Sequence, residues 1–325
     1  MIAVTCCPLE NPIFLRPTPP FYPWKRVVAL PQQDPIIVAP SPTPFRHDDK
    51  VDFPAIEHNV ARWMKTPLSG FVLNSENGEE AFLSESDRLE IIRTVQRVNQ
   101  GQKLLIAGVD SPSTSETLRI ANRSVEAGAE LIRIRIPRLT ANIDDYFSAV
   151  IPRIEVPVLI IHQMMPGTFL STSTPAGAEA EQIGTWLAQE NVFGYIASAD
   201  LRFEARVRRF VSTSKRFWIG NGSLLLAGVM LGANGACMML GNIAPRECYD
   251  IMRSGMTGHL DQARTIQDRV LELDWQVLTR RAAGLKAALQ VLGFESGLPR
   301  APSLACNPQD IQQIQEAMRL ARLIA

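Results

Sequence analysis

Charge of neither sign is in excess here: 33 lysines and arginines balance 33 aspartates and glutamates. That balance gives no electrostatic reason to expect nucleic acid or an anionic membrane surface as a partner. Long apolar runs are missing too. None reaches the roughly 18 residues that span a bilayer, and the N-terminus lacks the basic start and apolar core of a secretory signal. Cysteine is scarce and odd in number (Cys6, Cys7, Cys237, Cys248 and Cys306), with no metal-site spacing. Reduced thiols in a cytoplasmic protein are therefore expected. No His, Asp and Glu set has the spacing of metal ligands. No Gly-x-Gly-x-x-Gly follows the first strand-like run, so the dinucleotide fingerprint is absent as well. Neither a metal nor an organic cofactor is expected.

What is present begins with a length of 325 residues, 46% of them hydrophobic and 20% charged, enough to bury a substantial core. The most structured stretch runs from Gly70 to Arg88. Phe71 to Leu73 is an apolar run bounded by Gly70 and a polar turn, as a short buried strand requires. Asn74 to Glu79 supplies carboxylates and amides to a loop. Ser84 then caps a helix, and Asp87 three residues on answers it in a capping box, ahead of the apolar positions Ile91, Ile92 and Val95. The stretch is one β/α unit with a polar loop.

The same alternation recurs along the chain. Strand candidates are Ile36–Ala39, Phe71–Leu73, Leu104–Val109, Leu131–Ile136, Val158–His162, Val192–Ala197, Phe217–Gly220 and Ala236–Leu240. Amphipathic helices lie between them. Phe53, Ile56, Val60 and Trp63 share one helical face, and so do Ala180, Ile183, Trp186 and Leu187. Eight strands alternating with helices close naturally as a (β/α)8 TIM barrel. We expect it over residues 34–243, followed by a C-terminal helical region over 244–325. Residues 1–33 contain Pro8, Pro12, Pro17, Pro19, Pro20, Pro23 and Pro31, which suit neither helix nor central strand. A Pro-rich N-terminal arm, docking through Phe14, Phe21, Tyr22 and Trp24, is the expectation there.

Several motifs together resemble a known family. They are Pro44-Phe45 with Val51-Asp52, Asn77-Gly78-Glu79, Ile106-Ala107-Gly108-Val109 with Ser113-Thr114 and Glu116-Thr117, and Gly232-Ala233-Asn234-Gly235 with Asn242-Ile243-Ala244-Pro245. Over about Pro40 to Pro302 the chain is similar to the dihydrodipicolinate synthase/N-acetylneuraminate lyase family, its 4-hydroxy-2-oxoglutarate aldolase branch most of all. The resemblance implies the barrel, a C-terminal helical extension, a homo-oligomer (dimer or tetramer) and chemistry on a small carboxylate or oxo acid. It also implies a lysine on the sixth strand that forms a Schiff base. Here the matching segment is Gly194-Tyr195-Ile196-Ala197-Ser198, with Ile196 at the lysine. Ile161 stands at the family's fifth-strand tyrosine, Pro137-Arg138-Leu139 at Pro-Tyr-Tyr, and Ser75-Glu76 at its glycine-hydroxyl pair. Imine formation needs an amine that reaches the carbonyl carbon. Lys50, Lys65, Lys103, Lys215 and Lys286 fall on loops, helices or the bottom face, and Lys25 in the arm. Pyruvate-dependent Schiff-base chemistry is not expected.

The residues themselves suggest a different polar set. In Ile132-Arg133-Ile134-Arg135-Ile136-Pro137-Arg138 the side chains alternate, so the isoleucines share the face that packs on helices and Arg133 and Arg135 turn inward. Buried guanidinium groups need anions. Glu76 is the expected protein partner, and a bound anionic ligand the functional alternative, since arginine matches carboxylate or phosphate bidentately. Arg135, higher in the barrel, is the expected ligand contact, and Arg133 the enclosed, structural one. His162 ends the fifth strand as a general acid-base candidate or a structural hydrogen-bonder. Asp200 is an acid or a helix cap. Asn77, Ser198, Asn221 and Arg138 complete the substrate-binding set. Two readings remain open: a lyase-type enzyme working without a lysine on a small anion (aldol/retro-aldol, hydration/elimination or cyclisation), or a catalytically inactive barrel that binds a small acid or a protein partner.

Overall fold

Every one of the eight apolar runs forms a strand in the computed structural model, which describes residues 34–137, 142–163, 178–198 and 200–325. The strands are β1 Ile36–Pro40, β2 Gly70–Leu73, β3 Leu104–Val109, β4 Leu131–Arg135, β5 Val158–His162, β6 Val192–Ala197, β7 Arg216–Ile219 and β8 Gly235–Cys237. Each pairs in parallel with the next, and β8 pairs with β1, so the sheet closes as a (β/α)8 barrel. The eighth strand is shorter than its apolar run. After Cys237 the chain turns into the short helix Leu240–Ile243 rather than extending the strand to Leu240. The N-terminal arm expected over 1–33, and Arg138, lie outside the described residues.

The helices that cover the barrel are α1 Phe53–Trp63, α2 Glu85–Asn99, α3 Thr114–Glu126, α4 Ile143–Val150, α5 Ala180–Leu187, α6 Leu201–Arg208 and α7 Leu225–Met230. Their starts follow local chemistry. Ser84 accepts from the Asp87 amide while Asp87 accepts from the Ser84 amide, the capping box legible in the sequence. Asp200 caps α6 through the Arg202 amide. Calling Leu240–Ile243 α8, the chain continues as α9 Pro245–Met256, α10 Leu260–Leu278, α11 Arg281–Val291 and α12 Pro308–Leu320. The C-terminal helical region expected over 244–325 is thus interrupted between α10 and α11. It breaks before Arg281, which sits at φ +53° in the left-handed region.

Alternation sorts the strand side chains into two cores. Ile132, Ile134, Ile160 and Tyr195 face the helices. Val38, Val72, Ile106, Leu131, Leu159, Ile196 and Trp218 pack against each other inside the barrel. A bulge between Val192 and Gly194 shifts the β5–β6 register by one residue, and from Gly194 on the pairing is continuous, with Ile161 opposite Ile196.

The C-terminal helices hold the loop after β2. Lys286 on α11, buried, pairs with the buried Glu79 and donates to the Leu298 carbonyl at 2.7 Å. Glu79 also accepts from the Arg300 amide at 2.9 Å, and the Arg300 side chain donates to the carbonyls of Phe82 and Asp49. Burial pushes the Lys286 amine down to about 8, against the pull of Glu79. Removing one partner of such a pair leaves the other charge stranded. Lys286→Met should therefore cost about 3–5 kcal/mol of unfolding free energy, read by urea denaturation. A loss under about 1 kcal/mol, the scale of an exposed pair, would show that Glu79 does not depend on Lys286.

Candidate functional site

At the C-terminal ends of the strands the described residues enclose a cavity of about 940 Å³. Strand residues Val72, Arg133, Ile161 and Cys237 line its inner end. Two single 3₁₀ turns after β2, Glu76–Gly78 and Glu80–Phe82, form one wall. Asp274, Leu278 and Arg280 from the α10–α11 region form another. This is where a barrel of this kind gathers loop chemistry.

Both arginines of β4 point inward, as their parity requires, but their pairing is the reverse of the expectation. Arg135 is 5% exposed. It donates to Asp110 and, at 3.0 Å, to Glu80, with Glu76 at 3.8 Å. Arg133 is 2% exposed. Among the described residues its Nε and Nη2 find no hydrogen-bond partner and no carboxylate pairs with it. Glu76, the expected protein partner, reaches Arg135 only at 3.8 Å and also accepts from Gln163 Nε2 at 2.5 Å. Burial pushes the Arg133 guanidinium down from its ordinary value, and the neighbouring positive charge of Arg135 adds to this, opposed by Glu80 and Asp110. Space for Arg133 comes from the facing strand. Gly108 is its register partner. A Cβ there would lie 2.1 Å from Nη2 and 2.3 Å from the Asn74 carbonyl oxygen.

The other expected residues divide. Asn77, Glu76, Ser198 and Asn221 line the cavity, although the Asn221 side chain is engaged by the Ser223 amide at 2.9 Å. His162 does not reach it. It follows the inward Ile161, so its ring turns out toward α6 and lies 5.1 Å from the Phe203 ring. It is buried on the helix-facing side of the sheet, so the acid-base role considered for it has no access to the cavity. Ile161 and Ile196, register partners, both face inward. Among the described residues no lysine lines the cavity. Residues singled out by geometry alone are Asp110, Glu80 and Asp274. Asp274 accepts from Ser223 Oγ at 2.6 Å, and burial pushes its carboxyl up.

Comparison with known proteins agrees with this architecture. The dihydrodipicolinate synthetase family model matches residues 34–321. A 4-hydroxy-tetrahydrodipicolinate synthase of Sorangium cellulosum is 30% identical over 85% of this chain and 92% of its own. A protein of Emericella nidulans named for mitochondrial 4-hydroxy-2-oxoglutarate aldolase is 24% identical over 87% of this chain and 93% of its own. The crystal structure of the dihydrodipicolinate synthase from Cyanidioschyzon merolae with lysine bound superposes with a TM-score of 0.81. It is 24% identical and covers 90% of this chain and 99% of that one, a likeness of fold.

The unequal pairing of the two arginines has a measurable consequence. Arg135→Met strands Asp110 and Glu80 and should lower the unfolding free energy by about 3–5 kcal/mol. Arg133→Met removes a buried charge that no carboxylate among the described residues pairs with, and should leave stability unchanged or raise it. Guanidinium denaturation of both variants decides this. Equal losses would mean that Arg133 has a protein anion after all.

Proposed function

The chain belongs to the dihydrodipicolinate synthetase family, and on that premise we propose that it is a lyase-type enzyme acting on a small 2-oxo acid without a lysine Schiff base. The observation that carries the reading is Arg133, a buried guanidinium at the inner end of the cavity whose Nε and Nη2 meet no hydrogen-bond partner and which no carboxylate among the described residues pairs with. A carboxylate, or the oxygen of an enolate, matches its planar fork of donors. The apolar neighbours Val72 and Ile161 suit the carbon chain of such an acid, and Asn77 and Ser198 offer polar contacts nearer the opening. A cation fixed in a low-dielectric pocket stabilises charge that develops in the transition state more strongly than water does. Aldol and retro-aldol steps, hydration and elimination, and cyclisation all pass through such a charge. Ile196 and Ile161 at the positions of the family's lysine and tyrosine argue for a route that forms no imine. On the same membership we infer a cytoplasmic homo-oligomer, dimer or tetramer.

The test combines binding with trapping. Pyruvate, 2-oxobutanoate and 2-oxoglutarate are screened by thermal shift, and each is then incubated with the protein and borohydride before intact-mass measurement. At least one acid should raise the melting temperature, and no mass adduct should form. A stoichiometric adduct would sink the lysine-independent route. No stabilisation by any acid would leave a barrel that serves a protein partner.

A further inference from the structure

We propose that Asp110 is the catalytic base of this cavity, taking and returning the proton of a 2-oxo acid, or of its 4-hydroxy precursor, held by Arg133. The inference rests on the reading of the cavity as an acid site. Its geometry starts from the β3–β4 register. Gly108 lies opposite Arg133 and Val109 opposite Ile134, so the next inward position, Asp110, falls beside Arg135. The base and the cation that no described carboxylate pairs with thus come from adjacent strands and open into one space.

Asp110 is fixed without being covered. Arg135, itself 5% exposed and held on its other side by Glu80, donates to the Asp110 carboxylate. Yet 32% of the Asp110 side chain stays open. Among the described residues that line the cavity, the other acids and the thiol are placed differently. Glu79 is occupied by Lys286 and the Arg300 amide. Glu80 is 12% exposed and turned to Arg135. Glu76, on the turn after β2, is 43% exposed; it accepts from Gln163 and lies 3.8 Å from Arg135, a looser contact than the one that fixes Asp110. Asp274 is buried against Ser223. The Cys237 thiol is pushed up to about 12 by burial, far from the thiolate a base would require.

The step balances. The Asp110 carboxylate takes the C4 hydroxyl proton of a 4-hydroxy-2-oxo acid as the C3–C4 bond breaks. C4 leaves as the aldehyde carbon, and the electron pair of the broken bond becomes the enolate of the remaining 2-oxo acid. Arg133 stabilises the negative oxygen at C2. Asp110 then returns the proton to C3, which yields the 2-oxo acid and restores the carboxylate. In the isolated 2-oxo acid the same pair of groups exchanges the C3 protons with solvent.

That exchange is the test. Pyruvate and 2-oxobutanoate are each incubated with the full-length protein in D₂O, the C3 proton signal is followed by NMR, and affinity is measured in parallel by calorimetry. The wild-type protein should wash out the signal of an acid that it binds. Asp110→Asn should slow the exchange by about 100-fold or more while binding stays within a few-fold. Asp110→Glu, which keeps the ion pair but moves the carboxylate by one methylene, should be intermediate. If Asp110→Asn fails to fold, Asp110→Glu decides alone: exchange down at least tenfold with binding intact supports the base, and unchanged exchange overturns it. A bound acid that does not exchange in the wild type, or exchanges equally in Asp110→Asn, also overturns it. Absence of binding by the wild type overturns the acid site itself, and the base with it.

Discussion

A guanidinium inside the barrel, with no carboxylate among the described residues to meet it, is the constraint that organises this structure. Taking an ion out of water costs several kcal/mol even after relaxation, and natural cores rarely leave such a group unmatched. Arg133 is nonetheless provided for. Gly108 on the facing strand omits the side chain that would collide with it. The nearby acids Glu80 and Asp110 direct their hydrogen bonds to Arg135 and act on Arg133 only through space. The arrangement resolves if the missing anion arrives with a ligand. An Arg133 that had taken its own glutamate would have filled the cavity with a closed ion pair.

The surrounding scaffold keeps those acids in place. Glu79 sits in the left-handed region at φ 59°, between two 3₁₀ turns, and its carboxylate is tied to Lys286 and Arg300 of the C-terminal segment. That tie fixes the turn carrying Glu80, and Glu80 in turn positions Arg135 and Asp110. On the opposite side α10 brings Asp274 against the loop after β7, where the lack of a Cβ at Gly222 admits its carboxylate. The helical extension is therefore one wall of the cavity as well as cover for the barrel. Stability in the buried Lys286–Glu79 pair and geometry at the site share the same residues.

Much of this was legible in the sequence because it depends on short-range periodicity. Alternation in Ile132 to Arg135 sends the arginines inward wherever β4 sits in a barrel, and Ser84 with Asp87 starts α2 whatever packs on it. Which arginine is paired was not legible. That choice depends on the β3–β4 register, which sets Asp110 beside Arg135, and on two 3₁₀ turns that bring Glu80 to 3.0 Å from it and Glu76 to 3.8 Å. His162 is a different case. Ile161 at the family's tyrosine faces inward, so the same alternation already turns the next residue outward. The signal was present in the parity of β5. Asp110 carries no local mark at all, since an aspartate after a strand reads equally well as a loop residue.

The central claim is that Arg133 belongs to the ligand and not to the fold. Calorimetric titration of wild-type protein and Arg133→Met with the oxo acid that most raises the melting temperature tests it most directly, with denaturation of the same samples as the control. A charge-assisted hydrogen bond contributes about 1.5–3 kcal/mol, so affinity should fall at least tenfold while the unfolding free energy holds. Undiminished affinity in Arg133→Met would contradict the account.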